Sequence, residues 1–114
     1  SDAINRFGAD LASGHDDALL VLPDWGLFMP IVFLTQAGYE TEFTVDVATM
    51  RRSVCNGRDV VVALIDGDRA ARFNALQEAL AWTAPAVTAY RQRDGGIVFE
   101  VGRFHGSRDA PACT

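Results

Sequence analysis

Two short turns carry the residue types best suited to chemistry in this sequence. Asp24-Trp25-Gly26 follows the apolar run Ala18 to Leu22, and Asp66-Gly67-Asp68 follows the apolar run Val60 to Ile65. Carboxylates gathered at neighbouring strand ends can ligate a divalent cation or accept hydrogen bonds from sugar hydroxyls. Asp24, Trp25, Gly26, Asp66 and Asp68 therefore form the candidate ligand site. The same placement has a simpler structural use, because an Asp directly before a helix satisfies its free N–H groups. Capping is the expectation for Asp24 and for Asp66 or Asp68, with no catalytic residue, metal or other cofactor. Trp25 is expected to be mostly buried, packing the first turn of the next helix against the sheet.

The rest of the sequence excludes more chemistry than it offers. All ten basic residues are Arg. Without Lys there is no Schiff-base catalysis and no phosphate-binding lysine of a P-loop. No GxGxxG or Walker pattern follows the first strand, and no GxSxG elbow occurs. A response-regulator receiver needs a Lys at a late strand end, which is missing here. His15 and His105 read as solvated side chains, and Asp16-Asp17 as a solvated turn. Cys55 and Cys113 show neither CxxC spacing nor a His placed to complete a zinc site, and they leave the compartment open. The net charge is −5 and the pI about 4.8, which argues against nucleic acid and against docking on anionic lipid.

These residues must be held by a scaffold, and the hydrophobic pattern describes one. Of the 114 residues, 49% are hydrophobic and 22% charged, enough for one globular domain with a real core. Helical spacing covers Ala3 to Ala12 through Ile4, Phe7 and Leu11, with Asp2 as cap and Gly14 as stop. A short doubly covered strand, Ala18 to Leu22, ends at Pro23. A helix from Leu27 to Gly38 follows, with Pro30 near its first turn. Tyr39 to Val45 alternates as a strand, Asp46 caps a helix from Val47 to Cys55, and Val60 to Ile65 is the most apolar strand. A helix from Arg69 to Trp82 buries Phe73, Leu76 and Leu80. Val87 to Arg93 and Ile97 to Phe104 flank Asp94-Gly95-Gly96 as a hairpin. The expected architecture is a three-layer, Rossmann-like α/β sandwich over residues 1–104. Its parallel strands run in the order 2-1-3, with the hairpin antiparallel at the strand-3 edge. Residues 105–114 read as a flexible polar tail.

Leu27 to Leu34 are eight apolar residues in succession, where a surface helix needs only a stripe. One reading buries this helix on all sides. The other gives one side to a partner and makes Leu27, Phe28, Ile31, Phe33 and Leu34 a candidate docking helix. Arg51-Arg52 read as solvent-facing. No apolar run reaches the ~20 residues of a membrane helix, and no signal peptide opens the chain. Ser1 and the abrupt start inside a helix suggest a piece cut from a longer protein.

The segment Ala18 to Gly26, running into an apolar helix, resembles the soluble extracytoplasmic domain at the C-terminus of polytopic membrane glycosyltransferases. These are similar to the dolichyl-phosphate-mannose protein mannosyltransferases, glycosyltransferase family 39 of the GT-C architecture. The resemblance covers roughly Asp16 to Phe104 and rests on the Asp-Trp-Gly turn plus the order of elements. It implies a parent enzyme that transfers sugar from a polyprenyl-phosphate donor, with its catalytic acids outside this chain. The expected role is a non-catalytic accessory or acceptor-binding domain on the periplasmic, extracytoplasmic face. Its expected partners are the membrane domain of the same parent chain and a sugar acceptor. The alternatives are a free-standing small-ligand or regulatory Rossmann-like domain and a metal-dependent enzyme using Asp24 and Asp66.

Overall fold

The computed structural model describes residues 2–14 and 16–114; the readings of Ser1 and His15 lie outside them. In chain order the elements are α1 (Asp2–Gly14), β1 (Leu19–Val21), α2 (Trp25–Leu34), β2 (Thr41–Glu42), α3 (Val47–Cys55), β3 (Val60–Leu64), α4 (Arg69–Leu80), β4 (Ala86–Arg91) and β5 (Ile97–Phe104), followed by a 3₁₀ turn at Pro111–Cys113. The five strands form one mixed sheet in the order β2-β1-β3-β5-β4. β1 pairs in parallel with both β2 and β3, while β5 pairs antiparallel with β3 and with β4.

Alternation along the strands divides the core in two. Leu20, Leu22, Val61, Ala63, Phe99 and Val101 face one side and pack with Phe7 and Leu11 of α1 and Leu27 and Ile31 of α2. Leu19, Val21, Val60, Val62, Leu64 and Phe104 face the other and pack with Met50 and Val54 of α3 and Phe73, Leu76 and Leu80 of α4. All five residues of β3 are buried, which is why its sequence is a continuous apolar run and not an alternation. Two glycines allow close approach. A Cβ on Gly8 would lie 2.9 Å from Leu34 Cβ, so the Leu34 side chain of α2 occupies the space that Gly8 leaves open on α1. A Cβ on Gly102 would lie 2.6 Å from Phe73 Cε1, so the ring occupies the space that β5 leaves open.

Most strands and two helices are shorter than their sequence patterns predict, and three of them show why. β2 keeps two residues of the expected Tyr39 to Val45, because Phe43 and Val45 leave the ladder at its end. The Tyr39 hydroxyl instead donates to Leu11 O at 2.5 Å, tying the start of this segment to α1. α2 ends at Leu34, before Gln36 and Ala37, both with positive φ. α4 stops at Leu80, where Ala81 takes φ 53°, a left-handed conformation that costs a non-glycine residue about 1 kcal/mol. That turn puts Trp82 into the core and lets its indole N–H donate to His105 O at 2.8 Å.

Residues 105–114, read from sequence as a polar tail, are tethered at several points. Cys55 and Cys113 form a disulfide, Ser107 N donates to Val54 O at 2.7 Å, and Gly106 N donates to Asp59 Oδ1 at 2.8 Å. A Cβ on Gly106 would meet the backbone of Gly57 and Arg58 at 2.4 Å, so the segment lies directly on the α3–β3 turn. Asp59 also accepts from Arg103 Nη1 at 2.9 Å and faces His105 Nδ1 at 3.4 Å, while Arg103 reaches Asp16 at 3.1 Å. Burial pushes the Asp59 carboxyl up, but the Gly106 amide and the Arg103 guanidinium pull harder and hold it below the usual carboxylate range. A carboxyl with a depressed folded pKa stabilises above its unfolded value of about 3.9 and loses that contribution as pH falls through the folded value. Acid denaturation should therefore be less steep in Asp59→Asn than in the native chain below about pH 4. Parallel pH profiles of the two chains would argue against the role assigned to this carboxylate.

Candidate functional site

The parallel strands β1, β2 and β3 end on one side of the sheet, and all five candidate turn residues lie there. Asp24 and Asp66 are linked through Arg72, whose Nη1 lies 3.6 Å from the Asp24 carboxylate and donates to the Asp66 carbonyl. Asp24 leaves β1 in an extended conformation at the N-cap of α2, yet its side chain makes no cap hydrogen bond. Asp24 Oδ2 instead accepts from Ile65 N at 2.6 Å and stands 3.6 Å from Arg72 Nη1. The cap expectation for Asp24 is corrected: its carboxylate clamps the exit of β1 to the exit of β3. Its main-chain carbonyl meets the start of α2, accepting from Leu27 N at 2.9 Å.

In the second turn the cap falls to one of the two residues expected for it. Asp68, not Asp66, caps α4, with Oδ1 accepting from Ala71 N at 3.1 Å. Asp66 is exposed, and its carbonyl accepts from Arg72 Nη1 at 2.8 Å. Arg69 donates to Glu100 Oε1 and to Ile65 O, both at 2.7 Å. Both arginines of this turn are thus engaged in holding its backbone and neighbours. Among the described residues, no three His, Cys, Asp or Glu side chains group as metal ligands do.

Trp25 is 60% exposed, so the expected burial does not occur. Its ring stacks on Phe28 with centroids 5.6 Å apart and planes 12° from parallel. Phe43, arriving from the end of β2, sets its edge against both rings at 5.2 and 5.6 Å. The stripe continues along α2 through Met29, 51% exposed, and Phe33, 81% exposed. Trp25, Met29 and Phe33 are spaced by four, so they line one side of the helix. Leu27 and Ile31 are fully buried against the sheet, and Leu34 packs on Gly8 of α1. Of the five residues read as a docking helix, Leu27 and Ile31 belong to the core, Phe28 and Leu34 are half-buried and Phe33 is presented outward. Met29 and Phe43 join the exposed face without having been singled out in the sequence, and Val45 is exposed beside residues of α4. The spacing of four was the available signal for Met29. For Phe43 and Val45 there was none, since their strand alternation pointed into a sheet.

A separate cleft of about 320 Å³ lies along α4, lined by Val45, Leu64, Arg72, Ala75, Leu76 and Ala79. A second cavity of about 220 Å³ lies between α1 and the hairpin, lined in part by Asp10, Asp16, Tyr90 and Arg103. Its polar groups are paired with one another: Tyr90 OH donates to Asp10 at 2.7 Å, and Arg103 meets Asp16. Arg51, expected to face solvent, instead joins two helices by donating from Nη2 to Ala79 O at 2.6 Å, and its Nε is buried without a partner. Arg52 is exposed and reaches Thr49. No described helix is long and apolar enough to cross a membrane. No family model, curated protein or solved structure matches the chain.

Proposed function

We propose that this chain is a non-catalytic docking domain of a larger extracytoplasmic membrane protein. On this reading it is a three-layer Rossmann-like unit that presents one apolar face to the rest of that protein. The exposed stripe Trp25, Met29 and Phe33, joined by Phe28 and Phe43, carries the reading. Contiguous exposed aromatic and aliphatic surface is costly to leave in water, and faces of this kind mark interaction sites. The turn carboxylates support the same reading, since Asp24 and Asp68 are occupied in holding the scaffold. The Cys55–Cys113 disulfide supports an oxidising compartment, where such bonds form and persist.

The resemblance of Ala18 to Gly26 to family 39 glycosyltransferases suggests a parent that transfers sugar from a polyprenyl-phosphate donor, with this domain stabilising it or presenting the acceptor. Such transfer needs a base at the acceptor hydroxyl and groups that stabilise the departing phosphate. The test uses the parent protein in membranes, intact or truncated before Asp16. Loss of transfer or of protein level in the truncated form supports the role. Undiminished transfer at normal protein level would refute it, and turnover of a polyprenyl-phosphate sugar by the 114-residue chain alone would refute its being non-catalytic. A second reading, a small-ligand domain, is favoured by the cleft beside Arg72, at the strand ends where open α/β sheets bind ligands.

A further inference from the structure

We infer that two copies of this chain pair antiparallel along β4, with Thr88 of one copy opposite Thr88 of the other, so that one sheet runs through both. The inference is independent of the α2 face. β4 is the outermost strand of the sheet and is bonded to β5 on one side only. The hairpin bond from Gln92 N to Gly96 O, 2.9 Å long, turns Gln92 inward. Alternation along the strand then turns the N–H and C=O of Val87, Ala89 and Arg91 outward. The Arg91 carbonyl agrees with this, since it accepts from the Arg6 guanidinium of α1. Among the described residues, no side chain or loop bonds the outward groups of Val87 and Ala89.

A row of open donors and acceptors in strand alternation is matched by another β-strand. Edge strands are ordinarily kept apart by shortness, charge or proline. The opposite edge, β2, is two residues long. β4 has six, and from Ala86 to Tyr90 it carries neither charge nor proline. Pro85 precedes it, and the bulge between Tyr90 and Arg91 ends its regular part. α1 is fastened to the far end of the strand, through the Phe7 ring and Asp10 on Tyr90. Ala86, Val87 and Thr88 are left exposed.

The segment fits a second copy of itself. Reversed about Thr88, it sets Val87 opposite Ala89 twice, and each such pair exchanges two main-chain bonds. Arg91 falls opposite Pro85 and donates to its carbonyl, for about six bonds in all. The return bond is the one that Pro85, lacking an N–H, cannot make. Its acceptor would be the Arg91 carbonyl, which Arg6 already satisfies. Side chains agree with the same register. Val87, 47% exposed, lies diagonal to its own copy, so the two cover each other. The Thr88 side chains form a cross-strand pair, and Arg91 meets no like charge. Such pairing leaves only the two-residue β2 edges free, so the assembly closes at two copies.

Sedimentation equilibrium of the whole chain tests the pairing. The mean mass should rise with concentration from 12.3 kDa to twice that value and no further. Ala89→Pro deletes an outward N–H and no bond to β5, and Val87→Lys sets two ammonium groups on neighbouring positions. Each should weaken the dimer about tenfold or more, with circular dichroism unchanged. Val87 is exposed, so its variant reports even if the proline disturbs the strand. The register has its own readout. Thr88→Cys should cross-link two copies on mild oxidation, because facing residues of this kind stand about 4.5 Å apart at Cα. Ala86→Cys should not, since its copies would lie more than about 10 Å apart. Faster cross-linking in Ala86→Cys than in Thr88→Cys would overturn the register. A chain still monomeric at about 1 mM, where even a weak complex of −4 kcal/mol would half form, would overturn the pairing. A dimer untouched by Ala89→Pro and Val87→Lys but lost in Phe33→Ser would also overturn it and put the second copy on α2.

Discussion

Replacing Cys113 by Ser should lower the unfolding free energy by about 4 kcal/mol, the loop-closure entropy expected for a cross-link of this span. The two cysteines are 58 residues apart in sequence, and the closed loop holds α4 and the whole β3–β5–β4 part of the sheet. A cross-link of that reach removes many conformations from the unfolded chain and strains few in the folded one. It also joins the end of α3 to the C-terminal segment, and the native contacts there do not depend on the sulfur alone. Ser107 still donates to Val54, Gly106 to Asp59 and Trp82 to His105. The variant should therefore keep its sheet at low denaturant and unfold at a much lower urea midpoint. The same midpoint should follow from adding dithiothreitol to the native chain. A loss below about 1 kcal/mol in both would mean that the cross-link constrains the unfolded chain far less than its span implies.

That disulfide illustrates what a sequence can and cannot transmit. The sheet was legible because its pattern is local. Five consecutive buried residues in β3 read as a doubly covered strand, and Asp94-Gly95-Gly96 marked the hairpin, where Gly95 takes φ 89°. The pairing of β1 with β3 followed from the alternation of strands and helices. Cys55 and Cys113 had no such local signature. Whether they meet depends on where a segment with little hydrophobic pattern is laid down, and that is settled by Gly106 fitting against the backbone of Gly57 and Arg58.

The candidate site was legible in position and not in role. Asp24 before α2 has the local form of a cap, but Ile65 N, 41 residues away, is the donor it accepts from. Long-range partners of this kind leave no trace in spacing. α2 posed the opposite difficulty. Eight apolar residues in a row have no hydrophobic side and no polar side, so their periodicity could not tell which would face the sheet. Packing decided it: Leu27 and Ile31 fit between α1 and the strands, and Trp25, Met29 and Phe33 were left outside. An unbroken apolar helix on a small domain is thus informative as a whole, since one sheet face cannot cover all of it.

Phe99→Ala should cost about 4 kcal/mol, within the range for deleting a buried aromatic ring. Phe99 is fully buried at the centre of a ring cluster that joins the hairpin to α1. Its ring lies 5.6 Å from Phe7 and stacks at 5.0 Å on Tyr90. Deleting it removes apolar burial, leaves a cavity and forfeits two ring pairs worth roughly 0.5–1.5 kcal/mol each. Ile97 lies two residues earlier on the same strand, is 37% exposed and serves as the control. Ile97→Ala should cost clearly less, about 1 kcal/mol, because little burial is lost there. The titration of Tyr90 gives a second readout. Burial, then the hydrogen bond to Asp10, raises its phenol pKa above the usual value. With the folded pKa raised, the neutral phenol stabilises the fold up to about pH 10 and that contribution is lost as pH rises through the folded value. Opening the cluster at Phe99 should admit water and bring the phenol back toward its ordinary range in an ultraviolet titration. If Phe99→Ala is no more destabilising than Ile97→Ala and Tyr90 titrates unchanged, the hairpin is not fastened to α1 through these rings.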